Sequence, residues 1–507
     1  MAYLMGIDVG TTSCKAAVYD HQGQLLAVCS RPTITHYLEN SWAEFNPDEL
    51  WEAVAGCIKE VVGQLGGQGC DGLAVASMGG TGLLLDSEDR WLHPIIAWFD
   101  TRTADIAQAW RAGYGSPAVF QITGINPNSV AGITKMQWIK QNYPELFSRA
   151  ARWLQIEDYI TYKLTGQAVI GYSVACRTMA FDLNTLNWSE AILQEAGIPS
   201  SLLSRPVPSG TRVGGVTPRV EALTGLKAGT QVFAGGIDYV CGAFATGIID
   251  TGQALDSTGT SEQVLVITDR PTLDPQYLKD SFTCVTHVVN NKFYMMGMIV
   301  SSGAIMEWFK QQLAHCPFDE LMAEAAAQPL GSNGALLLPH FRGRYTPGAD
   351  AASRGAFVGL TTAMTRGDLV RSVLEGLCFE MKANIEGIRA ISGTDIHSIC
   401  AIGGATNSDF WVQMKADVTG IPIKGRDVRE AATLGAALLA GLGAGVYPDA
   451  AAAVGAVRHP EKIYLPDAAN HAKYRLLYDT LYQRLYPALA EINHAITDLQ
   501  TSMNKER

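Results

Sequence analysis

A chain of 507 residues, 47% hydrophobic and 17% charged, exceeds one ordinary domain and can bury a sizeable core, so two or three domains are expected. The formal net charge of -11 and the lack of a basic block exclude nucleic acid and anionic membrane as the main partner and favour a small soluble ligand. Ten scattered cysteines, with no Cys-x-x-Cys and no histidines at zinc spacing, read as buried reduced thiols; Asp8 interrupts any signal-peptide core, so a cytoplasmic location is expected.

The segment from Gly6 to Lys15, Gly-Ile-Asp-Val-Gly-Thr-Thr-Ser-Cys-Lys, continues into Ala16 to Asp20 and reads as a strand, a tight glycine turn and a strand pairing back. The hydroxyls and backbone N–H groups of the turn suit phosphate oxygens, and Asp8 suits magnesium, directly or through water; a plain hairpin is the alternative. Asn46-Pro47-Asp48-Glu49 predicts a capped helix start, with the helix running to about Val62. A buried strand, Gly72 to Ser77, then ends in the flexible turn Met78-Gly79-Gly80-Thr81-Gly82, the kind of strand end where ligands gather in α/β folds. Ile95 to Thr103 delivers Trp98, Asp100 and Arg102 into one short loop, where a surface ion pair is the plain reading of the two charges. From Lys135 the chain reads as largely helical up to Gly166. A further apolar run, Gln231 to Ile237, presents Asp238 just beyond a double glycine, and Tyr239 to Thr246 reads as a tightly packed helix.

Ala254 to Ile267 repeats the opening strand, Gly/Thr/Ser turn and returning strand, with a turn expected to be one residue longer. Two copies of one hairpin imply a duplicated domain, with the boundary near Gly247 and domains 1–247 and 248–507. Asp368 to Ser392 carries a helical apolar stripe behind the capping pair Thr365 and Asp368. Ile399 to Ile402 meets the turn Gly403-Gly404-Ala405-Thr406-Asn407, where missing side chains let a nucleotide approach the backbone. The uncharged run Ala431 to Tyr447 is short for a membrane span and reads as a buried helix against a close neighbour.

In this order the pieces resemble the FGGY family of carbohydrate kinases, which includes xylulokinases and glycerol kinases, within the actin-like, ribonuclease H-like ATPase superfamily. The resemblance runs from Gly6 to about Val446. Its most specific element is Gly355-Ala356-Phe357-Val358-Gly359-Leu360, seven residues, then Asp368 to Glu375, which fits the C-terminal signature; Lys135 to Asn142 fits the N-terminal one, with Gly132 standing where Pro, Ser or Thr is usual.

The resemblance implies an α/β fold of two ribonuclease H-like domains with a cleft between them, and an ATP-dependent kinase that phosphorylates a small ketose or polyol. An actin-like or chaperone-like ATPase without a sugar substrate is the alternative. Residue by residue it implies that Asp8, Gly10, Thr11 and Thr12 bind phosphates and Mg2+, that Gly259 and Thr260 form a second phosphate loop, and that Gly403, Gly404 and Asn407 border the adenosine. Asp238 matches the catalytic base, with Trp98, Asp100 and Arg102 in the sugar loop: Trp98 against the C–H face and the two charges on hydroxyls. Gly79 and Gly80 stand in the sugar pocket where xylulokinases carry Met-His-Gly, and Gly343-Arg344-Tyr345-Thr346-Pro347 stands where relatives have Gly-Glu-Arg-Thr-Pro. These departures predict that D-xylulose is not the preferred acceptor. No nucleic acid or membrane partner is expected, and the chain is expected to form a homodimer.

Overall fold

The computed structural model describes residues 3–66, 69–426, 428, 430–458 and 460–505. Its first sheet is built from β1 (Tyr3–Val9), β2 (Ser13–Tyr19), β3 (Leu25–Pro32), β4 (Cys70–Ser77), β5 (Arg212–Gly215) and β6 (Gln231–Ile237), in the spatial order β5-β6-β4-β1-β2-β3. β1, β2 and β3 form an antiparallel meander, whereas β4 pairs parallel with both β1 and β6. The second sheet contains β7 (Gln253–Thr258), β8 (Glu262–Thr268), β9 (Thr283–Thr286), β10 (Phe293–Ile299), β11 (Ser398–Gly403), β12 (Ile423–Arg426) and β13 (Glu461–Tyr464), in the order β9-β10-β8-β7-β11-β12-β13. Here too an antiparallel hairpin, β7 and β8, continues through β10, and the parallel strands β11 and β12 lie on its other side.

The local signals behave as their chemistry dictates. α1 (Pro47–Gln64) starts at Asn46, whose side chain accepts from the N–H groups of Asp48 and Glu49. α2 (Arg366–Ser392) carries a full capping box between Thr365 and Asp368 and buries its apolar stripe in the core of the second half. The stretch from Lys135 to Gly166 is less uniformly helical than expected, because Arg152–Gln155 pairs as a strand with Gly82–Leu85.

The second hairpin also departs from expectation. Val9 pairs with Cys14 across the first turn and Thr258 with Glu262 across the second, so the second turn is one residue shorter, not longer. The extra residue between Asp256 and Gly259 joins the ladder instead of the loop, since Ser257 pairs with Gln263.

α3 (Ala431–Gly443) is buried along most of its length and packs against β1, β4 and the helix Asp238–Ala245. Small residues make this approach possible: a Cβ at Gly6 would lie 1.7 Å from the Thr433 carbonyl oxygen, and one at Gly435 would lie 1.9 Å from that of Cys241. A helix from the second half is thus seated on the sheet of the first. All ten cysteines are free, eight of them buried. No described helix is long and apolar enough to cross a membrane.

Candidate active site

Three strand ends lie side by side in the first sheet: Val9 pairs with Ser77, and Ser77 with Ile237. The loops that follow therefore leave from one edge, bringing together the Gly10 turn, Met78 to Gly80, and Asp238. The turn is closed by the Gly10 N–H donating to Ser13 O at 3.0 Å, and Thr33 braces it by donating to Gly10 O at 2.9 Å. Trp98 donates its indole N–H to Thr11 Oγ1 at 2.9 Å and stays 38% exposed, so the expected sugar-loop aromatic is tied to the Gly10 turn.

Asp8 and Asp238 interact through their charges. Burial first, then the charge of Asp238, pushes the Asp8 carboxyl up to about 8, although Lys15 opposes the shift. Lys15 itself is held by Glu430 at 2.9 Å, just before α3. Oδ1 of Asp8 is buried without a hydrogen-bond partner, as befits a carboxylate arranged to meet a cation. No cluster of three or more metal-ligating side chains exists among the described residues, so a cation at Asp8 would keep most of its ligands from water and phosphate, the habit of magnesium.

Asp238 opens the helix Asp238–Ala245. Burial raises its carboxyl to about 6, against the pull of the Tyr239 N–H and the charge of Arg177. One oxygen accepts from Tyr239 N at 2.7 Å; the side chain makes no capping bond further into the helix, so its position is not explained by capping.

The Gly259 turn is built on a buried charge network that gave no sequence signal. Lys415 Nζ lies 2.6 Å from Asp256, 2.7 Å from Thr258 Oγ1 and 3.1 Å from Glu262, and all three charged side chains are fully buried. Gly259 and Thr260 in turn offer carbonyls to the N–H groups of Gly303 and Ala304. Thr258 pairs with Gly403, placing the Gly403-Gly404 turn beside this loop. Gly403 has φ +85° and a Cβ there would lie 2.3 Å from Thr258 O, so only glycine fits; Gly403, Gly404 and Asn407 are all exposed.

Two predicted sugar-pocket readings change. Asp100 and Arg102 do not pair at the surface, nor do they present their hydrogen-bonding groups to the cleft. Arg102 binds both oxygens of Asp100 and one of Glu44, at 2.7–3.0 Å, and its guanidinium lies 4.3 Å from the Trp42 ring and 5.0 Å from that of Trp138. Asp100 also accepts from Ala43 N and Arg102 N, which exhausts its capacity. The second change concerns Gly79 and Gly80. Gly80 has φ +72° and a Cβ there would lie 2.3 Å from Val130 O; a Cβ at Gly79 would lie 2.6 Å from Arg177 Cγ and 2.8 Å from Ile237 Cδ1. The space a side chain at Gly79 would use is therefore filled by Arg177.

Buried polar groups fix these loops. Gln155 accepts from Gly80 N at 2.9 Å and donates to Val174 O at 2.8 Å, clamping the glycine turn to the segment that carries Arg177. Glu157 accepts from Gly171 N and Gly235 N, three residues before Asp238; burial raises it to about 7 despite those two bonds. Neither role could be read without the fold, because the partners are remote in the chain.

Comparison with known proteins covers the whole chain. The FGGY family of carbohydrate kinases matches residues 3–245 with its N-terminal domain and 254–444 with its C-terminal domain. A xylulose kinase of Bacillus subtilis (strain 168) is 30% identical over 502 residues, 98% of this chain and 99% of that protein. The crystal structure of a xylulose kinase from Rhodospirillum rubrum superposes with a TM-score of 0.91 at 28% identity, over 97% of this chain and 100% of that one. A gluconate kinase from Lactobacillus acidophilus gives a TM-score of 0.89 at 26% identity, over 96% and 98%.

Proposed function

The chain belongs to the FGGY family of carbohydrate kinases and is an ATP-dependent sugar or polyol kinase; from that premise we propose that Asp238 is its catalytic base and that the Gly10 and Gly259 turns hold the phosphates of ATP. The observation that carries the proposal is the meeting of β1, β4 and β6 at one edge, which sets Asp238, with one oxygen bonded only to Tyr239 N, beside the Gly10 turn. Asp238 orients the acceptor hydroxyl and takes its proton as the bond to phosphorus forms. Thr11, Thr12 and Thr260 offer hydroxyls and backbone N–H groups to phosphate oxygens. Gly403, Gly404 and Asn407 border the adenosine. Asp8 would hold Mg2+, for which its orphaned oxygen is suited; the ion, when bound, neutralises phosphate charge. Closure of the two halves would keep water from the γ-phosphate.

Trp98 offers an exposed face for the acceptor's C–H surface, while Asp100 and Arg102 shape the loop from within instead of bonding hydroxyls. The domain division near Gly247 accords with two sheets of like topology, with α3 as the element that crosses it. A homodimer is supported by the exposed stripe Ile492, Ile496, Leu499 and Met503 on the last helix, and a cytoplasmic location by the reduced thiols. An ATPase without a sugar substrate is not favoured, since carbohydrate kinases match the chain throughout. A screen of ketoses, aldoses and polyols for acceptor-dependent ADP release tests the assignment; ATP turnover indifferent to every acceptor would refute it.

A further inference from the structure

A cavity of about 690 Å³, within the range of small-molecule sites, opens on the first half of the chain away from the cleft. Its place follows from the strands. Gly215 pairs with Gln231, the first residue of β6, whereas Asp238 follows the last, so the segment after β5 lies at the opposite end of the sheet from the base. That segment leads into the helix Pro218–Thr224, which walls the cavity together with the end of the helix Ile156–Thr165 and with Trp51 of α1. Thr217 N donates to Leu164 O at 3.0 Å, which fixes the two helices against each other.

Two cations line this cavity, Lys163 and Arg219, and neither makes an ion pair among the described residues. Lys163 is held by aromatic faces: its Nζ lies 5.4 Å from the Trp51 ring centroid and 5.9 Å from that of Tyr159. The carboxylates of the same lining are already engaged. Asp89 accepts from Tyr162 at 2.7 Å and pairs with Arg152 at 3.0 Å, and Glu88 pairs with Arg90 at 2.8 Å. Asp48, three residues before Trp51, receives the Trp91 indole N–H at 2.9 Å and forms no ion pair with Lys163. A phosphate monoester carries about −1.5 to −2 charges at pH 7 on one compact group, which a lysine point charge and an arginine fork can share. A single carboxylate would leave one cation unanswered. A nucleotide fits less well, because Trp51 is 9% exposed and Lys163 already covers its ring, so no open aromatic face is left for a base. The rest of the lining joins the apolar edge of Leu223 to the carboxylate acceptors of Glu88 and Asp89, a mixture that suits the C–H and hydroxyl groups of a sugar or polyol. A phosphate ester of that kind is what a carbohydrate kinase makes.

We infer that this cavity is a second ligand site, remote from the cleft, that takes a sugar or polyol phosphate with Lys163 and Arg219 on the phosphate group. The test is calorimetry on the full-length protein with the cleft filled by a non-hydrolysable Mg·ATP analogue. The probes are ribose 5-phosphate and glycerol 3-phosphate, with ribose, glycerol and inorganic phosphate as controls. At least one ester should bind, with its parent alcohol and inorganic phosphate each weaker by about tenfold or more. Arg219→Gln and Lys163→Met should each weaken the ester by about tenfold or more and leave kcat, measured without ester, unchanged. Should Lys163→Met fail to fold, Arg219→Gln decides alone, because the exposed Arg219 side chain makes no ion pair among the described residues whose loss could unfold the protein. A wild-type protein that binds neither ester would overturn the inference. Inorganic phosphate binding as tightly as both esters would also overturn it, since charge alone would then be recognised. So would ester binding that survives the substitutions, which would place the ester elsewhere. The site is judged by binding alone, so the outcome of the acceptor screen does not bear on it.

Discussion

Replacing Asp238 by Asn separates chemistry from structure at one atom. The substitution keeps the shape and the bond from Tyr239 N but removes the charge and the basicity. A positioned general base contributes about 10²- to 10⁴-fold, so kcat should fall by that factor, roughly 3–5 kcal/mol of barrier. Folding should respond in the opposite sense. The folded carboxyl titrates near 6 against an ordinary 3.8, so its ionisation works against the folded state. That penalty is absent below the ordinary value, grows as pH rises between the two, and stays constant above 6, reaching on the order of 3 kcal/mol. Asp238→Asn should therefore melt no lower than wild type at pH 7.5 while being nearly inactive. ATP affinity should barely change, because the proposed mechanism leaves the phosphates to the Gly10 and Gly259 turns. Wild-type kcat/KM should drop about tenfold per pH unit below about 6 as the base is protonated. Steady-state kinetics, calorimetric ATP titration and thermal melts on the two proteins read all of this. A folded Asp238→Asn enzyme that binds ATP and turns over at near wild-type rate would remove the base from the mechanism.

Three further outcomes are expected. Solution scattering should show a smaller radius of gyration with acceptor and nucleotide together than with either alone, and an unchanged radius would sink closure of the two halves. Lys415→Met should destabilise the protein by about 3–5 kcal/mol in denaturant melts, since Asp256 and Glu262 would be left buried without their cation, and should raise the KM for ATP by loosening the Gly259 turn; wild-type stability would show that the network is dispensable. D-xylulose should not lead a screen of acceptors, because Arg177 occupies the volume beside Gly79; finding it at the top would show that this substitution of one group for another leaves ketose recognition intact.

What could be read in the chain was what short-range chemistry encodes. Asn46 and the Thr365–Asp368 pair cap the helices they were expected to cap, and the glycine turns after β1 and β7 lie at strand ends as their sequence pattern requires. The parts that escaped depend on residues brought together from far apart. Glu157 reaches Gly235 across 78 positions, and Lys415 reaches Asp256 across 159; nothing in a window of a dozen residues distinguishes such carboxylates and lysines from solvated ones. The turn after β7 departs from its expected length for a related reason: a loop's length is set by which residues pair across it, and Ser257 pairs. Arg177 shows the same limit at the site itself, since only the fold sets it against Gly79.

The fifth expectation follows from Arg102. The Trp-x-Asp-x-Arg loop invites the reading that both charges meet the acceptor, but three of the guanidinium's N–H donors are spent on Asp100 and Glu44 and its faces lie within cation–π range of Trp42 and Trp138. A buried pair of this kind is costly to break, about 3–5 kcal/mol, because removing one partner strands the other. Arg102→Lys retains the charge but cannot reproduce the fork or cover two indoles, so it should lose much of that stability. Trp98, four residues away and bonded to Thr11, would shift with the loop, so acceptor and ATP constants should worsen together. A direct contact with the acceptor would behave otherwise: melting would stay near wild type and only the acceptor KM would rise. Melts and two-substrate kinetics on Arg102→Lys therefore decide whether this guanidinium touches the sugar or builds the wall that does.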